Sequence, residues 1–320
     1  MQSVSRYLLS LALVGSTAAF RAPLLLSVTP HVAPPVICRM RTPTASLALP
    51  SITAAAALPT AAASGVAALV AQLGLVTMFR GSKDKSMSSA AGLRAYRIIA
   101  FAYTLVLTVV GGSLFLNPAA WPTNPATAML APHGSVRFLG AVLFGELLMW
   151  DIPCSLFINK LRRPDLVLHH VFLLGPAAIA MTFNPVFYYV WFLGLSEASS
   201  VWLAGNDYYA ELHDAVAEED ADSPRLPGLA KLRDGCQIGA AAFFVLVRVL
   251  GWGGMVWILF RDTLAVLPLA ASVGMRGFLK AQLLFAGAFY GLQLLWFKKL
   301  VAYTLSSGLG GAQPVDEDGR

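Results

Sequence analysis

Apolar residues run on without a break through most of this chain, and polar residues collect in the short gaps between the runs. Barrel strands alternate residue by residue, whereas a membrane-crossing helix needs about 20 consecutive apolar residues. Runs of that kind fall at about 60–79, 98–116, 138–158, 166–183, 186–204, 236–260 and 281–302. The pattern predicts an all-α fold, a multi-pass transmembrane helical bundle of about seven helices. A shorter apolar stretch, about 263–274, reads as a re-entrant or interfacial piece. The connections are short except for 205–235, which is acidic and polar and reads as a solvated loop.

Composition removes the soluble alternatives. Of the 320 residues, 57% are hydrophobic and 12% charged, with a mean hydropathy of +0.66. Soluble domains are about a quarter charged, so an ordinary soluble enzyme, a disordered chain and a disulfide scaffold are all excluded. Cys154 and Cys236 lie within or beside apolar runs and Cys38 stands apart, so no structural disulfide is expected. The net charge of +6 has no aromatic-basic patch to go with it and does not imply nucleic acid.

The Lys and Arg residues gather instead at helix ends. One set of loops holds Arg80, Lys83, Lys85, Arg94 and Arg97, then Lys160, Arg162 and Arg163, then Arg225, Lys231 and Arg233, then Lys298, Lys299 and Arg320. The opposite set holds only Arg137, Arg261, Arg276 and Lys280. This bias orients the bundle, with the C-terminus on the positive side.

The start of the chain reads as an address. Residues 1–19 combine Arg6, a short apolar run and small residues at Thr17 and Ala19, the pattern of a signal peptide. Residues 20–58 are rich in Ala, Pro, Ser and Thr, and the first acidic residue of the chain is Asp84. The join Ala18-Ala19-Phe20-Arg21-Ala22-Pro23 resembles the bipartite presequences of plastid proteins in secondary-plastid algae. That resemblance implies a plastid membrane, with the endoplasmic reticulum or endomembrane system as the alternative. The first transmembrane helix follows at 60–79, and 306–320 reads as a polar C-terminal tail.

Ionisable residues inside membrane spans are expensive and mark functional sites by default. Here they are Glu146 and Asp151, His169 and His170, Glu197, and Arg248; Gln293 lies close by in depth on the last span. His170 is 14 residues before Asn184 and Glu197 is 13 after it, so a turn there brings them to one depth. These groups should face one another or a wet cavity. A His beside a carboxylate can act as a general base, its tautomer set by the acid. Adjacent helical residues point about 100° apart, so His169 and His170 do not readily share an ion. With no HExxH or CxxC spacing, no metal site is expected.

Five pieces in order resemble the TLC domain family. They are Trp150-Asp151, Leu168-His169-His170, Asn184, Gly194-Leu195-Ser196-Glu197-Ala198-Ser199-Ser200, and Arg248 followed by Leu292-Gln293-Leu294-Leu295-Trp296-Phe297. The resemblance covers about 90–305, closest to the TLC-domain lipid-homeostasis proteins and more distantly to the ceramide synthases. It implies membrane lipids as partners and casts His169, His170 and Asp151 as the catalytic candidates. Glu146, Glu197, Arg248 and Gln293 are expected to form a surrounding cluster that binds lipid. The chain departs from the synthases after the histidines, where Ser196-Glu197-Ala198-Ser199 replaces a later His-Asp. The favoured expectation is therefore a lipid-binding or lipid-sensing protein without a cofactor. The alternative is an acyltransferase of ceramide-synthase type, with acyl-CoA as co-substrate.

Overall fold

The computed structural model describes residues 51–182 and 186–308. The presequence expectations for residues 1–50 therefore lie outside the described residues, as does the tail beyond 308. By its internal contacts the chain divides into Leu49–Leu300, which forms the helical bundle, and the remaining terminal segments. The main helices are α1 (Ala54–Arg80), α2 (Ala91–Leu116), α3 (Gly134–Glu146), α4 (Ile152–Phe157), α5 (Pro164–Thr182), α6 (Ala198–Glu219), α7 (Leu226–Phe243), α8 (Trp252–Val266) and α9 (Val273–Gly308). Among the described residues there is no strand, and six helical stretches are long and apolar enough to cross a membrane. The fold is an all-α multi-pass bundle.

Two of those stretches contain wide turns. α3 passes into α4 through a π-helical segment, Leu147–Asp151, and α7 passes into α8 through another, Phe244–Gly251. The first helix begins at Ala54, earlier than the run 60–79 suggested, and carries Pro59 inside its second turn, where the missing N–H removes one bond to the Ala55 carbonyl.

The fifth span differs most from the sequence reading. Residues 186–204 do not form one helix. A single helical turn, Tyr189–Phe192, is followed by Leu193 and Gly194, a 3-10 turn Leu195–Glu197, and only then α6. Val186 to Leu193 are all buried, lodged inside the bundle rather than against lipid. Irregular backbone at membrane depth is tolerated in that position because protein, not hydrocarbon, surrounds it.

Small residues make the fit possible. A Cβ on Gly111 would lie 2.5 Å from Gly194 Cα, so α2 meets the broken segment backbone to backbone. A Cβ on Gly145 would stand 1.9 Å from the Ala61 carbonyl oxygen, so α1 and α3 cross as closely. Membrane helices without a hydrophobic drive to associate commonly pack through such small residues.

The expected polar loop 205–235 is instead a helical hairpin, α6 and α7, turning at 220–225. Most of its charges are exposed, while Leu212, Val216 and Leu229 form an apolar seam between the arms. Arg97 of α2 holds it by Asp207 at 3.0 Å and Glu211 at 3.1 Å, and Arg225 holds Asp84 at 3.0 Å. The stretch 263–274 is the end of α8, a 3-10 turn Leu267–Leu269 and the start of α9, not a separate interfacial piece.

Candidate functional site: a polar cluster within the bundle

Asp151 is the last residue of the first π-helical segment and is 5% exposed. The wide turn and Pro153 just after it loosen the backbone there, as often happens where helices carry functional residues. Its Oδ2 lies 3.0 Å from His170 Nδ1 on α5. Its Oδ1 accepts from the Tyr96 hydroxyl of α2 at 2.7 Å and more weakly from Ser155 at 3.4 Å. A carboxylate facing Nδ1 favours the tautomer with the proton on that nitrogen and leaves Nε2 as the basic one. Three helices are thereby tied to one carboxylate.

A second pair stands beside the first. Glu197 ends the 3-10 turn before α6, and Arg248 lies in the second π-helical segment. Arg248 Nη2 donates to Glu197 Oε1 and Oε2, both at 3.1 Å, and to Ser200 Oγ at 2.7 Å. Its Nε donates to the Ser196 carbonyl at 3.2 Å. Side-chain exposures of 8% for Arg248 and 15% for Glu197 leave the pair largely out of solvent. A buried guanidinium with these donors placed is well compensated; alone it would be costly.

The two pairs sense each other. Glu197 acts electrostatically on His170 and on Glu146, which is 7% exposed and also close to Asp151. His169 feels Arg248 and Asp151 but bonds to neither. Its ring packs at 5.8 Å from Phe289 and 5.1 Å from Trp296, both on α9, and its Nδ1 has no hydrogen-bond partner among the described residues. Gln293, between those aromatics on the same face of α9, is 0% exposed, and both polar ends of its carboxamide lack partners among the described residues. Gln282 is in the same state on that face nearer the start of the helix.

All the residues singled out from the sequence, Asp151, His169, His170, Glu146, Glu197, Arg248 and Gln293, therefore lie in one interior region. The pairing differs from the simplest reading of depth. The acid at His170 is Asp151, while Glu197 is held by Arg248. Tyr96 escaped notice because a tyrosine near a helix start reads as an interfacial anchor. Around the cluster, Trp150 donates to Gln72 at 3.3 Å, Gln72 donates to the Gly92 carbonyl at 2.9 Å, and Trp150 stacks on Tyr96 at 4.9 Å. Among the described residues, no group of three His, Cys, Asp or Glu is placed to hold a metal ion.

A small apolar recess of about 20 Å³ opens next to this cluster. Leu173 and Pro176 of α5, Tyr189 and Phe192 of the broken segment, Trp252 of α8, and Phe285 and Phe289 of α9 are among the residues that line it. Phe289 belongs to both the recess and the His169 contact.

A model of the TLC domain matches residues 95–302, which takes in every residue of the cluster. The chain belongs to the TLC domain family. Nothing matches it among curated proteins, nor among solved structures. The TLC match ends close to the limits 90–305 drawn from the motifs and starts after α1, so α1 precedes the family domain while packing against it. As a TLC protein the chain is a multi-pass membrane protein of lipid metabolism or homeostasis.

Proposed function

We propose that this TLC protein acts in membrane lipid homeostasis by binding a lipid head group at the intramembrane cluster of Asp151, His170, Glu197 and Arg248. One observation carries the reading. The four charged or titratable groups are inside the bundle, and three sit where helical geometry is interrupted: Asp151 and Arg248 on π-helical segments and Glu197 on a 3-10 turn. A purely structural ion pair has no need of such backbone, whereas a site that receives a ligand gains from it. Arg248 would take a phosphate or carboxylate by exchanging part of its bonds to Glu197, Ser200 and Ser196, and His170 Nε2 adds an acceptor or donor.

The arrangement Tyr96–Asp151–His170 also favours a second reading, acyl transfer. There His170, oriented by Asp151, would take a proton from the attacking hydroxyl or amine of a lipid. Acyl-CoA would be the acyl donor: the lipid oxygen or nitrogen bonds the acyl carbon as the thioester C–S bond breaks, the CoA thiolate leaves with the proton from His170, and no cofactor would be required.

Mass spectrometry of lipid retained by the full chain, purified from membranes in mild detergent, tests the head-group reading. The wild type should retain a defined phospholipid or acidic lipid class. Arg248→Lys, which keeps the charge and loses the fork, should lose most of it. Equal retention by both proteins would overturn the reading.

A further inference from the structure

Gln72 of α1 places the two ends of one carboxamide on the two elements that hold Asp151. Its Oε1 accepts from the Trp150 indole at 3.3 Å, and its Nε2 donates to the Gly92 carbonyl at 2.9 Å. An indole N–H only donates and a carbonyl only accepts, so a single orientation of the carboxamide serves both. Trp150 is the chain neighbour of Asp151 in the π-helical segment, and Gly92 lies one turn before Tyr96 on α2. The Tyr96 hydroxyl meets Asp151 Oδ1 at 2.7 Å. One side chain therefore ties the turn that delivers the hydroxyl to the turn that delivers the carboxylate.

Neighbouring contacts strengthen the same link. Trp150 is 0% exposed and lies against two rings of α2, Tyr96 at 4.9 Å and Tyr103 at 6.2 Å. The Tyr103 hydroxyl donates to the Ser64 carbonyl of α1, about two turns before Gln72. The preceding inward positions of α1, Ala57, Ala61, Gly65 and Ala68, are small, as close helix packing requires. Gln72 continues that buried face with a polar side chain, which is costly to bury unless it is bonded. π-helical geometry is rare and occurs as single turns, so the direction of Asp151 depends on what is packed against its turn. The family match begins at residue 95, after α1.

We propose that Gln72, on the helix before the matched domain, is a positioning residue for the Asp151–His170 pair, acting through Trp150 and the Tyr96 turn. This deepens the reading of Asp151 and His170 as a working site and rests on it, but it uses neither Arg248 nor Glu197. Loss of the carboxamide frees Trp150 from α1 and the Tyr96 turn from Trp150. The Tyr96–Asp151 bond then loosens, and the carboxylate facing His170 Nδ1 changes.

The test uses the full chain, ¹⁵N-labelled at histidine and reconstituted in phosphatidylcholine bilayers. The two ring-nitrogen resonances of His170, assigned by their loss in His170→Ala, report where the ring proton sits and what each nitrogen bonds to. Looser packing of α1 that leaves Asp151 in place does not move them. Gln72→Leu should displace both resonances in the direction that Tyr96→Phe does. The double variant should move little further than either single one, because both act on one bond. Wild-type resonances in folded Gln72→Leu, or displacements that simply add in the double variant, would overturn the proposal. Should Gln72→Leu fail to fold, Trp150→Phe, which keeps a stacked ring and removes the N–H, takes its place with the same outcomes. Displaced His170 resonances in Gln72→Leu, alongside undiminished lipid retention in Arg248→Lys, would sink the head-group reading and leave the positioning role standing. Wild-type resonances in Gln72→Leu with lipid lost from Arg248→Lys would do the reverse.

Discussion

His170 Nδ1 and Asp151 Oδ2 lie 3.0 Å apart, joining α5 to the π-helical end of α3 inside the bundle. Asp151 is held there by the Tyr96 hydroxyl at 2.7 Å as well. Tyr96→Phe removes one donor and leaves the carboxylate partly uncompensated, a loss of about 1.5–3 kcal/mol for a bond to a charged group. Asp151→Ala leaves Tyr96 without its acceptor and takes away the carboxylate 3.0 Å from His170 Nδ1, and should cost more. Thermal denaturation in detergent should rank the variants wild type, Tyr96→Phe, Asp151→Ala. A Tyr96→Phe protein as stable as the wild type would contradict the assigned bond.

The pair Glu197–Arg248 makes a different forecast. Removing either partner alone strands the other in the interior, at about 3–5 kcal/mol, whereas replacing both by apolar residues of similar size can be nearly neutral. Membrane abundance of Glu197→Ala should fall sharply. Glu197→Leu combined with Arg248→Met should recover most of it while losing retained lipid. Equal abundance in the single and double variants would show that the two side chains do not depend on each other.

Close backbone crossings predict which glycines tolerate a methyl group. Gly145→Ala would force a Cβ to 1.9 Å from the Ala61 carbonyl, with backbone on both sides and no flexible side chain to move. Overpacking of this kind costs about 1–3 kcal/mol. Gly74 on the same helix as Ala61 has nothing within 4 Å of the position a Cβ would take. Gly74→Ala should therefore be neutral or slightly stabilising, since alanine is the better helix former. Parallel melting curves for the two variants check the contrast.

Much of this architecture is legible in the sequence, because a span must be apolar along its whole length and positive charges sort to one side. The intramembrane charges were legible for the same reason: each stands out against its run. The break at residues 193–197 was not, since Gly194 and Ser196 fit a packed membrane helix as readily as a broken one. The hairpin α6–α7 was hidden because its acids suggested a loop, although Leu212, Val216 and Leu229 carry the spacing of a packed seam. Tyr96 and the partnering of Glu197 with Arg248 depend on how helices rotate against one another, which a single sequence does not record.

The hairpin also yields a test of sidedness and of pH. In sealed vesicles, cysteines introduced at 222 and 89 should be labelled from the same face, and one at 123 from the other. Asp84 is held below its ordinary value of 3.8 by the Ser86 hydroxyl and by Arg225 at the hairpin turn. A lowered folded-state value means that its contribution is present above 3.8 and is lost as pH falls through the lowered value. Hydrogen exchange at 84–89 and 220–225 should therefore quicken only in strong acid. Exchange that quickens already between pH 7 and about 5, where a carboxylate of ordinary or lowered value stays ionised, would contradict this.

The central claim is that the cluster serves lipid, not merely the fold. It is tested most directly by the quantitative lipid profile of a strain lacking the gene and rescued with wild type, His170→Ala or Arg248→Lys, with each protein confirmed folded and at matched abundance. The account predicts that the wild type restores the profile and that both variants leave the same lipid class displaced. Full restoration by well-folded His170→Ala and Arg248→Lys would contradict it.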